Sequence, residues 1–374
     1  MSKRVVSILL LAAALCARPA LAAENVAKAA QNVANTSQKG SLLIFPLISI
    51  DPEVSGDTFL AVSNDQTSPV HVECSYINEA KGRVDFNFTL MGKATAGWDA
   101  FFGDGIGAPP FPIDGKFTPS NPNRGELICF AVDAGDANQI AFNHLTGTAT
   151  VVAFNDTDAS QRLQAFRYNA WRFVARSSAG LPEADNVIQG KPGDLRLTGG
   201  GAGTYDACPL YNFSNFSPNG ATDASGLITT QDNDLSVVSC NQDLRQDFLP
   251  HLTKLQFTVW NANAKSFTGS YQCVDSVQTV PLSSTENSLL VAPLNFEFAT
   301  LRTRIARFQV SGVASTNCPN SETTGLLGLL TSSIDISPNT SEDAELGTTT
   351  QGAGLQPGFV FWDPAGPVLA VKKK

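Results

Sequence analysis

Apolar and polar positions alternate with a period of two along most of this chain. Val84, Phe86, Phe88 and Leu90 alternate with Asp85, Asn87 and Thr89. In the preceding run Val70, Val72, Cys74 and Tyr76 share one face, and His71, Glu73 and Ser75 share the other. That period marks a strand with one face buried. Leu42–Ile50 is a continuous apolar run, and Asp57–Ser63, Pro69–Ile77, Gly125–Val132, Thr148–Phe154 and Ala165–Ala175 read as further strands. In the last of these Phe166 and Tyr168 are followed by Trp171 and Phe173, a parity switch that predicts a bulge. Leu227–Val238, Leu252–Trp260, Phe267–Val274, Leu289–Phe298, Arg304–Val313 and Phe359–Phe361 repeat the grammar. Turn formers such as Asn64–Ser68 and Asn78–Gly82 separate them. Helical spacing is confined to Val26, Ala29, Ala30 and Val33, which predicts a short N-terminal helix or leader.

Many short strands with turns between them predict an all-β fold of two β-sandwich-like, immunoglobulin-like domains with long loops. A length of 374 residues favours two cores over one. The boundary falls at residues 177–207, which hold Pro182, Gly190, Pro192, Gly193 and the run Gly199–Gly203. The expected organisation is a signal peptide at 1–22, a leader at 23–40, a first domain at 41–176, a Gly/Pro-rich linker or long loop at 177–207, and a second domain at 208–374. The glycine run lacks the flanking strand, helix and Lys-Ser/Thr pair of a phosphate-cradling loop. A weak internal similarity links the halves. Phe59–Asn64 is followed by a strand carrying Cys74, as Phe257–Asn261 is followed by a strand carrying Cys273.

The first residues change the picture of where the chain works. Lys3 and Arg4 precede an apolar run from Val5 to Ala17, and Ala20 and Ala22 stand at the small-residue positions of a cleavage site. This is a secretory signature, and the run is too short for a membrane anchor. Leu15 before Cys16 departs from a lipoprotein signal. Loss of residues 1–22 removes Lys3, Arg4 and Arg18 and no acid, taking the formal charge from −9 to −12. Apart from Lys372–Lys374 the chain has no basic cluster, so nucleic acid is not an expected partner. No later stretch has the apolar length of a transmembrane helix.

Six cysteines remain beyond Cys16: Cys74, Cys129, Cys208, Cys240, Cys273 and Cys318. An even number in an exported chain reads as disulfides. Cys74 and Cys129 are alone in the first domain, so they pair, tying two strands across one core. The internal similarity aligns Cys273–Cys318 with that bridge and leaves Cys208–Cys240, with swaps among these four cysteines still open. His71, His144 and His251 are far apart in sequence, and no CxxC occurs, so no metal or cofactor is expected.

Chemistry is sparse. There is no G-x-S-x-G elbow, and neither His144 nor His251 has a recognisable triad partner. Asp156-Thr157-Asp158-Ala159-Ser160 opens like a calcium loop, but Gln161 and Arg167 stand where such a loop needs Gly and Glu. No catalytic residue is therefore assigned. The segment Gly97–Gly105 places Trp98, Phe101 and Phe102 among glycines. These rings form either a ligand-binding surface for a glycan or protein, or a plug for the open end of a core.

Lys39–Pro46, Asn143–Ala149, Tyr168–Trp171, Tyr205–Pro209 and Cys240–Leu244 together resemble a group of uncharacterised exported β-rich proteins of Gram-negative bacteria. The similarity spans most of the chain beyond the signal segment and implies an exported β fold without supplying an activity. Asp57–Tyr76 is loosely similar to the opening hairpin of immunoglobulin-like surface domains. The expected role is non-catalytic: an envelope or extracellular protein, in the periplasm, at the cell surface or outside, acting by binding or assembly. Its expected partner is a protein or polysaccharide. The alternatives are a carbohydrate-binding protein using the Trp98 loop, and a hydrolase with an unrecognised pair of carboxylates.

Overall fold

In the computed structural model of the chain, the residues described are 32–51, 56–113, 123–157, 160–178, 191–244, 251–283, 290–292, 294–336 and 342–361. The signal segment, most of the expected leader helix and Lys372–Lys374 lie outside them. Residues 32–40 form no helix. Val33 bridges to Ala207 and Asn35 to Arg172, so this segment is held by strands from both halves of the chain.

Nine strands precede the Gly-rich stretch: β1 (Leu42–Ile50), β2 (Asp57–Asn64), β3 (Val70–Asn78), β4 (Arg83–Leu90), β5 (Thr95–Asp99), β6 (Asn123–Val132), β7 (Leu145–Thr157), β8 (Ser160–Asn169) and β9 (Trp171–Phe173). Then come β10 (Asp194–Leu197), β11 (Tyr211–Phe216), β12 (Ile228–Ser239), β13 (Asn241–Asp243), β14 (Thr253–Asn261), β15 (Ser266–Val274), β16 (Val277–Pro281) and β17 (Leu290–Ala292). A single helical turn, α1 (Phe298–Leu301), leads to β18 (Ala306–Val313), β19 (Leu326–Ile336), β20 (Glu342–Thr349), β21 (Gln351–Ala353) and β22 (Gly358–Phe361).

The all-β class holds, but the expected pair of immunoglobulin-like sandwiches is overturned. The strands form five small sheets, a five-bladed arrangement of the propeller type, with neighbouring sheets packed face to face. Their orders are β4-β3-β6-β1-β9, β5-β2-β7-β8, β10-β22-β13, β16-β12-β19-β20 and β17-β15-β14-β18-β11-β21. The physical reason is long-range pairing that local alternation does not encode. β2 pairs with β5 and β7, not with β3, so the hairpin expected at Asp57–Tyr76 does not form. β14 does pair with β15, so the two halves of the internal similarity fold differently. The parity switch near Ala170 is a change of sheet: β8 pairs with β7, and β9 with β1.

Three buried clusters explain the apolar runs. Leu43 and Phe45 enter the cluster between the β1 and β2 sheets, while Leu42 and Ile44 enter a second cluster with Leu195, Val238 and Val360. β1 is thus covered on both faces, which is why it reads as an unbroken apolar run. The third cluster, with Leu235, Leu255, Phe257, Phe308 and Leu330, lies between the β12 sheet and the six-stranded sheet. β19 serves all three, through Leu330 in the third, Leu327 in the second and Leu329 in the first. The β12 sheet therefore has apolar contacts on both faces. Its edge strand β20 comes so near β8 that a Cβ on Gly347 would lie 2.0 Å from Phe166 Cδ2.

Cys74 bonds Cys129, Cys208 bonds Cys240, and Cys273 bonds Cys318. These are the pairs reached from the sequence, although the first bridge is not one across a core. Cys74 and Cys129 sit directly opposite each other on neighbouring strands β3 and β6, with Cα atoms 4.1 Å apart.

Candidate functional site

The aromatic loop folds inward. Trp98, on β5, is 3% exposed, and its indole N–H donates to Tyr76 Oη at 2.7 Å. Phe86 and Phe88 meet its ring edge-on. Phe101 packs partly against the same cluster, whereas Phe102 is 68% exposed. The Phe101 and Phe102 rings cross at 74°. A sugar platform needs coplanar rings facing water. Here Trp98 fills the end of the first core, as its large apolar area favours.

The histidines are each tied into local contacts. His144 meets Phe142 edge-on. His71 faces Asp136 at 3.2 Å, and His251 faces Glu322 at 2.8 Å. Among the described residues, no group of three or more His, Cys, Asp or Glu side chains converges as a metal site. Asp158 of the calcium-like stretch lies outside the described residues.

Carboxylates do meet between sheets. Arg124 of β6 stands 3.6 Å from Asp234 of β12, and Glu345 of β20 lines the same small pocket with Asp51, Ser236, Thr279 and Thr331. Burial pushes the Asp234 and Glu345 carboxyls above their usual range, and Arg124 pulls both back down. The pocket holds about 140 Å³, below the roughly 300–1,000 Å³ of ordinary ligand clefts. It is a charged seam between sheets.

A larger opening lies on the outer face of the six-stranded sheet. In β14, Leu255, Phe257 and Val259 point into the third cluster, which sends Lys254, Gln256, Thr258 and Trp260 outward. The same alternation turns Arg307, Gln309 and Ser311 of β18 outward, and Tyr211, Phe213 and Asn215 of β11. Register then sets these side chains in rows across the sheet. Asn215 opposes Arg307, which opposes Trp260, which opposes Ser266. The next row runs Gln351, Phe213, Gln309, Thr258 and Thr268. At the Trp260 end a groove of about 530 Å³ is lined by Asn215, Trp260, Ala264, Ile305, Arg307 and Gln309, among others. Ile305 is 64% exposed on its rim. Asn261 fixes the turn beside it, its side-chain oxygen accepting from the backbone N–H of Asn263 and Lys265. The Arg307 guanidinium lies 4.6 Å over the Phe213 ring.

The charges of this face are unusual for so acidic a chain. The six strands contain no Asp or Glu, and carry Lys254 and Arg307. Lys265 in the β14–β15 turn, and Arg302 and Arg304 before β18, are exposed nearby. Among the described residues none of these five cations forms an ion pair. The side chains of Asn215, Trp260 and Gln309 likewise make no hydrogen bond to a described residue. Strand periodicity alone did not single out this face. The available signal was compositional: Leu252–Trp260, Phe267–Val274 and Arg304–Val313 are strands without a single acid.

No family model matches the chain, and no curated relative matches it. Among solved structures, the crystal structure of Thermotoga maritima 1070 is similar at 7% identity and a TM-score of 0.22, covering 36% of this chain and 95% of that one. A likeness of that size carries no argument about fold or role.

Proposed function

We propose that this chain is a non-catalytic exported protein that acts by binding, and that its recognition surface is the outer face of the six-stranded sheet. The observation that carries the reading is the groove itself: an indole, a guanidinium and two amides set side by side, with no ion pair or hydrogen bond to a described residue. Asn215 and Arg307 are exposed and Trp260 and Gln309 half-buried, so their polar groups face water and are open to exchange it for a ligand. The groove volume is that of an ordinary ligand cleft. Three disulfides support an oxidising address in the periplasm, at the cell surface or outside the cell. No helix among the described residues is long and apolar enough to cross a membrane.

The test uses the exported chain and washed envelopes of the cells that make it. Wild-type protein is expected to sediment with the envelopes. The double variant Trp260→Ala with Arg307→Ala should remain in the supernatant with an unchanged melting curve. A double variant that sediments as well as wild type removes this face as the recognition surface.

A further inference from the structure

We infer that the groove takes a linear polysaccharide whose sugar rings carry carboxylates. This inference rests on the binding reading above and names its ligand class.

Three features of the face converge on that chemistry. The first is an aromatic surface beside an aliphatic rim. Trp260 and Ile305 border one groove, and the C–H face of a pyranose ring packs on such a pair as any apolar surface does. The second is a fixed cation beside it. Arg307 is the direct cross-strand neighbour of Trp260, and neighbouring strands lie about 4.8 Å apart. The guanidinium leans over Phe213 on the strand beyond β18, so it meets the carboxylate of a sugar ring further along the groove than the one on the indole, and its fork matches a carboxylate bidentately. Stacking on Phe213 holds that guanidinium over the sheet. The third feature is the amide and hydroxyl row. Asn215 closes the Arg307 row, and Gln351, Gln309, Thr258 and Thr268 run across the next. Each amide offers a donor and an acceptor, which suits the vicinal hydroxyls of sugars.

Charge selects the acidic class over a neutral glycan. Four cations without an ion pair among the described residues, Lys265, Arg302, Arg304 and Arg307, gather at the Trp260 end of a sheet whose strands hold no acid, in a chain of formal charge −9. Such a patch draws polyanions while the rest of the surface repels them. Single-stranded nucleic acid, charged on every residue as a polyuronate is, is held by several aromatic rings on which successive bases stack, whereas among the described residues this groove is lined by one aromatic ring, Trp260.

The test is affinity electrophoresis of the full chain through gels carrying polygalacturonate, alginate, methyl-esterified pectin, dextran or polyadenylate. Polygalacturonate or alginate is expected to retard the wild type, and esterified pectin at least about tenfold less. Trp260→Ala and Arg307→Ala should each weaken retention by about tenfold or more. Rising salt should weaken it further. Melting curves of both variants should match wild type. Equal retention by dextran and esterified pectin, lost in Trp260→Ala, overturns the acidic class but keeps the recognition face. Preference for polyadenylate overturns it in favour of nucleic acid. Absence of retention by every glycan, or uronate retention unchanged in both variants, overturns the inference and the face together.

Discussion

The two large sheets of the second half share one core and have opposite outer chemistry. The β12 sheet carries Asp232, Asp234, Asp335, Glu342, Asp343 and Glu345 in its strands and no cation. The six-stranded sheet carries Lys254 and Arg307 and no acid. On the β12 side the first half of the chain supplies what is missing. Arg124 meets Asp234 of β12, and the Glu79 carboxylate accepts from the backbone N–H of Thr279 in β16. Trp171 donates to the Gly328 carbonyl, and Leu329 enters the first cluster. On the six-stranded side the cations make no ion pair among the described residues. A face whose charges are answered within the chain is structural, and one whose charges are left open is where to look for a ligand.

Cutting into the covered side should produce the largest effect. Leu329 is fully buried where β19 meets the first cluster. Leu329→Ala is expected to cost about 2–5 kcal/mol in chemical denaturation, as a buried leucine deleted with little relaxation does. A loss below about 1 kcal/mol would mean that the contact is not packed as described.

The covered side should also respond to pH. Glu126 of β6 is fully buried, and Gln242 of β13 donates to its Oε2 at 3.3 Å while Oε1 has no partner among the described residues. Burial raises its carboxyl from 4.5 to about 8, against the smaller pull of Gln242. The folded chain therefore keeps a proton that the unfolded chain releases between those values. Stability should be highest below about pH 4.5 from this group, fall through the window, and level off above about pH 8. Glu126→Gln should flatten that part of the profile, by an amount on the order of 2–4 kcal/mol across it. An unchanged slope in the variant would assign the pH dependence elsewhere.

A matched pair of arginines gives the smallest and sharpest contrast. Arg124→Ala leaves Asp234 and Glu345 beside each other without their shared cation, and should cost about 1–3 kcal/mol. Arg307→Ala removes an exposed cation that has no ion pair, and should stay within about 0.5 kcal/mol. Equal costs would erase the distinction between the covered and open faces.

Much of the strand content was legible because one buried face imposes a period of two: β1, β3, β4, β6, β14 and β18 fall close to where alternation or apolar runs put them. Sheet membership was not legible. Phe59–Asn64 and Phe257–Asn261 look alike locally, yet one strand pairs with β5 and β7 and the other with β15 and β18. Partner choice is settled by contacts far apart in sequence. Leu289–Phe298, read as one strand, contains only β17 and leads into α1, and its middle lies outside the described residues. β19 and β20 were missed: a strand such as Leu326–Leu330, covered on both faces, does not alternate. The cysteine pairs were reached through a similarity that the structure does not bear out as a shared hairpin. Trp98 drew notice for its glycine neighbours, while Trp260 sat in a regular strand and drew none.

The three-stranded sheet has a consequence for the timing of folding. β22 lies between β10 and β13, antiparallel to the first and parallel to the second, and those two strands do not pair with each other. Neither can find its neighbour until residues 358–361 have been made. Val360 also completes the second cluster, which joins Leu42 and Trp171 to Val238 and Leu327. The central junction therefore closes after the strands of the first two sheets, which all lie before residue 174, have been made. Contacts of such long sequence separation form slowly.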